Sequence, residues 1–555
     1  MFDKLDYQPI YRLVAAGLLL IHACMVLNLI PRWSVTHNEV SHIPAGLACW
    51  YSGNFELYHV NPPLPRMVAT IPLLGQPIIC LEALSRIQER STERQEFRIG
   101  AFFAATNALY YHQLVCRARL AGVFWITLGG VIIWRWTSSL YGPLGGLLSL
   151  VLWTFEPTLT AHAALATPDI PATVMGLSAT YAFAHFLRAG SWFHCYMAGL
   201  LLGGALLCKF TLLLLVPAWF LAWFLTRRNR EVYAVHLLPH PQRLTRTFFI
   251  AFVAWLMLCT GYEFSDIGTP IRHFSFVSEL FQKTARKVDN VWMRNIPCPL
   301  PAAFLRGLDT QQRDFEGRMM SYLRGEWQNH GWWYYYLYAF GVKTPLGHLM
   351  AFGLTIIFIC FFRQSIHPLL WITPLLIIII ASFKTGFTQH LRYILPAYPY
   401  LIITSGVILS RPMSRFYGVY LLAIAVTISW SAWEVICTYP HLLGFFNTAV
   451  GGRYEGYRHL AESNVDWGQD WILLREWITA NPDIYPLHTA IVNYIDERIY
   501  LRMQYPLPNP EMSGYAVVDT LHLTRDYRWV LDYPLIARIG TSFFVFEVRS
   551  CHDGT

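Results

Sequence analysis

Carboxylates able to take a proton and cations able to hold an anion recur at the margins of the apolar runs of this chain. The segment Thr36-His37-Asn38-Glu39-Val40-Ser41-His42 is followed by Asn61-Pro62-Pro63-Leu64. If 38–50 is helical, Glu39 and His42 share a face at i, i+3 spacing. A carboxylate beside an imidazole suits a general base or a pair of metal ligands. The same pattern also suits a helix cap with a solvated acidic turn, and two ligands fall short of a metal site. Asp169 follows Ala166-Thr167-Pro168 at the start of another apolar run. A carboxylate at that depth is costly unless partnered, although it is also a good helix N-cap.

The cations show the same habit. Lys209 interrupts an apolar stretch, Lys343-Thr344-Pro345 lies inside another, and His390-Leu391-Arg392-Tyr393 opens a third. Snorkelling accounts for any one of them. Their accumulation at one interface points to an anion, and a lipid phosphate is the commonest anion at that depth. In the tail, Ser463-Asn464-Val465-Asp466-Trp467-Gly468-Gln469-Asp470 places oxygens at alternate positions, as calcium loops do, with Asp466 and Asp470 as the acidic members. The rest of an EF-hand is missing.

The elements that must position these residues are membrane helices. Among 555 residues, 55% are hydrophobic, 16% aromatic and only 14% charged, and the mean hydropathy is +0.35, which makes the bilayer the expected solvent. The net charge of +8 does not imply nucleic acid, because Lys and Arg sit in short clusters between apolar runs. The 11 cysteines form no CxxC pair and read as buried fillers. Residues 13–30 resemble a signal-peptide core, but no A-x-A site follows, so a retained helix is expected.

Runs long enough to cross about 30 Å of hydrocarbon occur near 12–30, 118–136, 140–157, 169–187, 193–208, 211–226, 247–263, 337–361, 368–383, 393–410 and 416–435, which predicts about eleven crossings. Clusters at Arg227, Arg228, Arg230, Arg243 and Arg246, and at Arg411 and Arg415, with Arg135, Arg188 and Arg363, fall on one face. The positive-inside rule makes that face cytoplasmic. The N-terminus is then inside, while the polar segments 31–117, 264–336 and 436–555 lie outside. The expected architecture is an α-helical polytopic protein of the inner (cytoplasmic) membrane, with a transmembrane domain over 1–435. A small extracytoplasmic α/β domain is expected over 436–555, with strands near 489–494, 515–518 and 542–548 and a helix near 467–477.

Taken in order, His37 to His42, Asn61 to Leu64, Thr167-Pro168-Asp169-Ile170-Pro171, Lys209-Phe210-Thr211, Trp332-Trp333-Tyr334 with Lys343-Thr344-Pro345, Arg392-Tyr393-Ile394-Leu395-Pro396 with Tyr398-Pro399, and Ser463 to Asp470 form a set. The set resembles the GT-C membrane glycosyltransferases that use a polyprenyl-phosphate sugar donor, the broad family of protein O-mannosyltransferases and lipid A aminoarabinose transferases. The resemblance spans about Thr36 to Trp477. It implies inverting transfer of a sugar from a polyprenyl-phosphate donor to an acceptor hydroxyl at the outer membrane face.

In that chemistry Glu39 and Asp169 are the catalytic carboxylates, Lys209, Arg392 and Lys343 bind the donor phosphate, and a divalent metal is left open. His37, Asn38, His42, Asn61, Asp466 and Asp470 complete the candidate site. One residue departs from the family pattern: Asn38 stands where the first loop usually carries a catalytic Asp, and an amide cannot usefully accept a proton. The sugar, the acceptor and the oligomeric state are not legible. A secondary transporter and a noncatalytic protein that binds a lipid-linked glycan are the rival readings. The transporter reading lacks the inverted repeat common in such folds.

Overall fold

The computed structural model describes residues 9–79, 95–228, 240–287, 295–410 and 417–549. Among these, seven helices are long and apolar enough to cross a membrane, nine if each of two bent pairs counts as one span. Two shorter apolar helices, Trp192–Leu206 and Leu369–Lys384, fall on the remaining expected crossings. Of the basic clusters used for orientation, Arg230, Arg411 and Arg415 lie outside the described residues.

Helix Asp169–Ala189 is the buried axis of the bundle: 89% of its apolar window is covered by neighbours. Helix Trp192–Leu206 packs along it and, on its other side, against His240–Gly261. The second contact is close because Gly199 and Gly203 face carbonyls. A Cβ on Gly199 would stand 2.6 Å from Ile250 O, and one on Gly203 2.6 Å from Ala254 O. Small residues four apart allow such an approach where no hydrophobic force drives helices together. Helix Tyr111–Tyr141 has 31 residues. At about 1.5 Å per residue it outruns a hydrocarbon core of about 30 Å.

Prolines break two of the spans. Pro143–Thr154 and Pro157–Ala163 meet at 62°, and Tyr335–Lys343 and Leu346–Phe362 at 116°. Pro157 and Pro345 stand at these breaks; each lacks an N–H and biases the residue before it away from helix. Residues Leu391–Ala397 form a 3-10 turn that continues into Tyr398–Ser405.

Outside the bundle, helix His37–Ser52 opens the first loop, with a capping box between Thr36 and Glu39. The tail forms a four-stranded sheet. Leu487–Ala490 pairs in parallel with Gly514–Asp519, and Phe543–Val548 lies antiparallel between Gly514–Asp519 and Leu535–Ile539. Helix Trp471–Ala480 buries Trp471, Leu474 and Ile478 in the same core as Val517, Phe543 and Val545. The expected strands overlap three of the four. Leu535–Ile539 was not anticipated, and the helix begins four residues later than expected, since residues 467–470 form a turn.

Candidate active site

A cavity of about 380 Å³ opens between the first loop, the bundle and the tail. Asp169 stands at its membrane side as the first residue of helix Asp169–Ala189 and is 3% exposed. Its Oδ1 accepts from Lys209 Nζ at 2.8 Å, and its Oδ2 is 3.9 Å from Arg392 Nη1 and 3.7 Å from His162 Nδ1. The backbone holds the cations there. Lys209 sits in extended conformation (φ −159°, ψ 137°) in the break after Trp192–Leu206, and Arg392 is the second residue of the Leu391–Ala397 turn. Lys209 Nζ lies 5.3 Å from the centre of the Tyr393 ring, and the Arg392 guanidinium 4.1 Å from that of Trp467. Two fixed cations flank one carboxylate on this floor, so an anion entering between them meets charged donors on both sides.

His37, Asn38 and Asn61 also line the cavity. His37 stacks on Phe97 at 4.2 Å and meets Tyr494 edge-on at 4.2 Å. Asn61 Nδ2 donates to the Tyr58 hydroxyl at 3.3 Å. With Trp467 and Tyr393, these rings give the cavity aromatic walls beside its charged floor.

Other candidates lie elsewhere, for physical reasons. Glu39 does not line the cavity. It is fully buried, with Oε1 accepting from Arg119 Nε and Ala166 N, each at 2.8 Å, and Oε2 from Arg119 Nη2 at 2.7 Å and from Thr36 N and Oγ1, each at 2.9 Å. Burial pushes this carboxyl up, but Arg119 and the N–H donors of Ala166 and Thr36 outweigh it and hold Glu39 below the usual carboxylate range. Glu39, expected to line the cavity, instead has both oxygens taken up by Arg119 and by the first-loop and Ala166 donors.

Lys343 is 1% exposed and donates to Leu443 O at 2.8 Å and to Asn464 O, so its charge ties the tail to the bundle, away from the cavity. His42 is buried against Tyr58 at 4.6 Å between ring centres. Asp470 Oδ2 accepts from Thr541 N at 2.9 Å and Ser542 Oγ at 2.8 Å, and Asp466 Oδ1 from Gly468 N at 2.9 Å. The alternate oxygens of this loop therefore fasten its own turn and the neighbouring strand. Among the described residues, no three His, Cys, Asp or Glu side chains gather as a metal site.

Two residues escaped sequence reasoning. Arg119 lies at the start of an apolar run, and a cation there demands a partner; that was the available signal. Glu462 lines the cavity with φ +57°, a left-handed conformation that costs about 1–3 kcal/mol for a non-glycine residue and tends to occur at functional positions. Burial, then Asp519, push its carboxyl up. Nothing periodic in the sequence marks it.

Asp466 makes a testable case of the same crowding. Burial first, then Asp519, push its carboxyl up to about 8. A carboxyl raised from about 4 in the unfolded chain contributes stability that is complete below about pH 4 and is lost as pH rises through about 8. Asp466→Asn keeps the neutral shape. The parent's melting midpoint is expected to fall relative to the variant's across that window; parallel curves would refute the assignment.

The comparisons with known proteins bear on this geometry. A family model described as dolichyl-phosphate-mannose-protein mannosyltransferase matches residues 100–257, the stretch that carries Arg119, Asp169 and Lys209. No curated protein matches the chain at a significant level. Among solved structures, ArnT from Cupriavidus metallidurans bound to undecaprenyl phosphate is similar over 98% of this chain and 98% of its own, with a TM-score of 0.51 and 13% identity. The same protein in its apo state aligns over 96% and 97%, with a TM-score of 0.48 and 13% identity. The chain is therefore a multi-pass membrane protein with the fold of the first of these structures. That fold agrees with the GT-C resemblance carried by its motifs.

Proposed function

We propose that the protein is a membrane glycosyltransferase that moves a sugar, with inversion, from a polyprenyl-phosphate donor to an acceptor hydroxyl at the outer membrane face. The observation that carries this reading is the Lys209–Asp169–Arg392 constellation on the floor of an aromatic-walled cavity. The matched family segment and the fold shared with a protein whose structure holds undecaprenyl phosphate support it.

In this reading Lys209 and Arg392 bind the donor phosphate and stabilise its departure as a leaving group. Asp169 is then the carboxylate nearest the anomeric carbon and takes the acceptor proton as the hydroxyl attacks. Glu462 is the alternative base, favoured by its raised carboxyl within the same cavity. Glu39 serves to anchor the first loop. The cavity faces the extracytoplasmic side, with residues 436–555 as an extracytoplasmic unit that forms its roof, and the inner membrane is the expected location.

The test is transfer in proteoliposomes from a polyprenyl-phosphate sugar. Lys209→Gln and Arg392→Gln each remove a charged hydrogen-bond donor, worth about 1.5–3 kcal/mol, and should weaken donor use roughly ten- to a hundredfold. Transfer by either variant at the parent's donor KM and kcat would contradict the assignment.

A further inference from the structure

Lys209 and Arg392 face two anions in turn. Each lies against Asp169, with Lys209 Nζ 2.8 Å from Oδ1 and Arg392 Nη1 3.9 Å from Oδ2, and each is assigned above to the donor phosphate. A phosphate held by both draws them from a carboxylate that is 3% exposed. A buried carboxylate stripped of its donors is costly, so another donor must stand ready.

His162 is placed to be that donor. It is as buried as Asp169, and its Nδ1 lies 3.7 Å from Asp169 Oδ2. Neither atom has a hydrogen-bond partner among the described residues. The gap between them is about 0.7 Å longer than an ordinary N–H···O bond, so a small turn of either side chain closes it.

The segment that carries both residues is pinned at three points. Thr160 Oγ1 is 3.0 Å from His22 Nε2. Gly122 of helix Tyr111–Tyr141 abuts Ala163 O, where any Cβ would collide. Ala166 N donates to Glu39 Oε1 at 2.8 Å, so the buried Glu39–Arg119 pair also fixes the turn between His162 and Asp169. Trp467 closes the far side: its ring centre lies 5.8 Å from that of His162 and 4.1 Å from the Arg392 guanidinium. The backbone is held, and the two side chains keep the freedom to meet.

We propose that His162 is a positioning residue for Asp169. With its proton on Nδ1, the neutral imidazole donates to Oδ2 once the donor phosphate has taken Lys209 and Arg392. Oδ1 is then the oxygen left to face the acceptor hydroxyl. That hydroxyl gives its proton to Oδ1 as its oxygen bonds to the anomeric carbon; the bond from that carbon to the phosphate oxygen breaks, and its electron pair leaves with polyprenyl phosphate. His162 keeps its own proton throughout. The role rests on the transfer reaction proposed above.

Transfer in proteoliposomes, measured per folded molecule at saturating donor for the parent, His162→Leu and His162→Asn, tests it. Asn is the conservative variant, because its amide nitrogen stands close to the place of Nδ1 and also donates. In His162→Leu kcat should fall about tenfold or more with donor KM little changed, and His162→Asn should recover most of the loss. A merely structural histidine would lower the melting midpoint in both variants and leave kcat per folded molecule alone. In the parent with polyprenyl phosphate bound, cryo-EM should show the gap of 3.7 Å closed to about 3 Å. His162→Leu turning over at the parent's kcat, equal losses in the Leu and Asn variants, or an unchanged gap with the lipid in place overturns the role of His162; the gap decides alone should His162→Leu not fold. A parent that neither transfers sugar nor binds the lipid has a different meaning: the transferase assignment itself falls, and the role of His162 with it.

Discussion

Asp169→Asn should lower sugar transfer by about 10²–10⁴-fold, the range typical for removal of a general base. The substitution keeps the side chain's size and leaves an oxygen for Lys209, so the donor pocket should persist. The loss is therefore expected in kcat, with donor KM changed far less. The result that Asp169 is not the base would have a distinct form: Glu462→Gln would cost more than Asp169→Asn, and the pH profile of kcat would lose its acid limb in the Glu462 variant alone. Measuring both variants against the parent under donor saturation separates the two carboxylates, because only the true base couples transfer to its own titration.

Arg119→Met should cost about 3–5 kcal/mol of stability, because removing one partner of a buried ion pair leaves an uncompensated charge. The loss extends beyond Glu39. Arg119 also donates to Ile30 O at 3.0 Å, Trp33 O at 2.7 Å and Ser34 O at 2.7 Å, so one guanidinium fastens the chain that leads from the first helix into the first loop. Thermal unfolding of purified Arg119→Met should show a markedly lower midpoint. Glu39→Gln should also unfold earlier, and its transfer activity per folded molecule should stay close to the parent's. A Glu39→Gln protein that melts like the parent yet transfers no sugar would restore Glu39 as the base.

The contrast between Glu39 and Asp169 shows what the sequence discloses. Membrane class is legible because apolarity is written locally, residue by residue, and each span satisfies its own backbone. Asp169, Lys209 and Arg392 stand out for the complementary reason: charges beside hydrocarbon are costly and so advertise a partner. Glu39 carries no such mark. Its i, i+3 relation to His42 says nothing of Arg119, 80 residues away, whose guanidinium bonds both oxygens of that carboxylate. The same limit applies to Lys343, whose acceptors Leu443 and Asn464 are carbonyls that no residue type announces. Glu462 is silent in the sequence because it opens a three-residue 3-10 turn, too short for helical or strand spacing to single out a position. Strand Leu535–Ile539 was missed because Leu-Ile-Ala-Arg-Ile does not alternate, and a bulge between Leu535 and Ala537 disturbs its register.

The most direct test of the account is a structure of the protein with polyprenyl phosphate bound. The account predicts the phosphate within hydrogen-bond distance of both Lys209 Nζ and Arg392, with Asp169 turned toward the space where the anomeric carbon would lie. A phosphate bound away from these two side chains, with the Lys209–Asp169 pair intact and the cavity closed to the lipid, would contradict it.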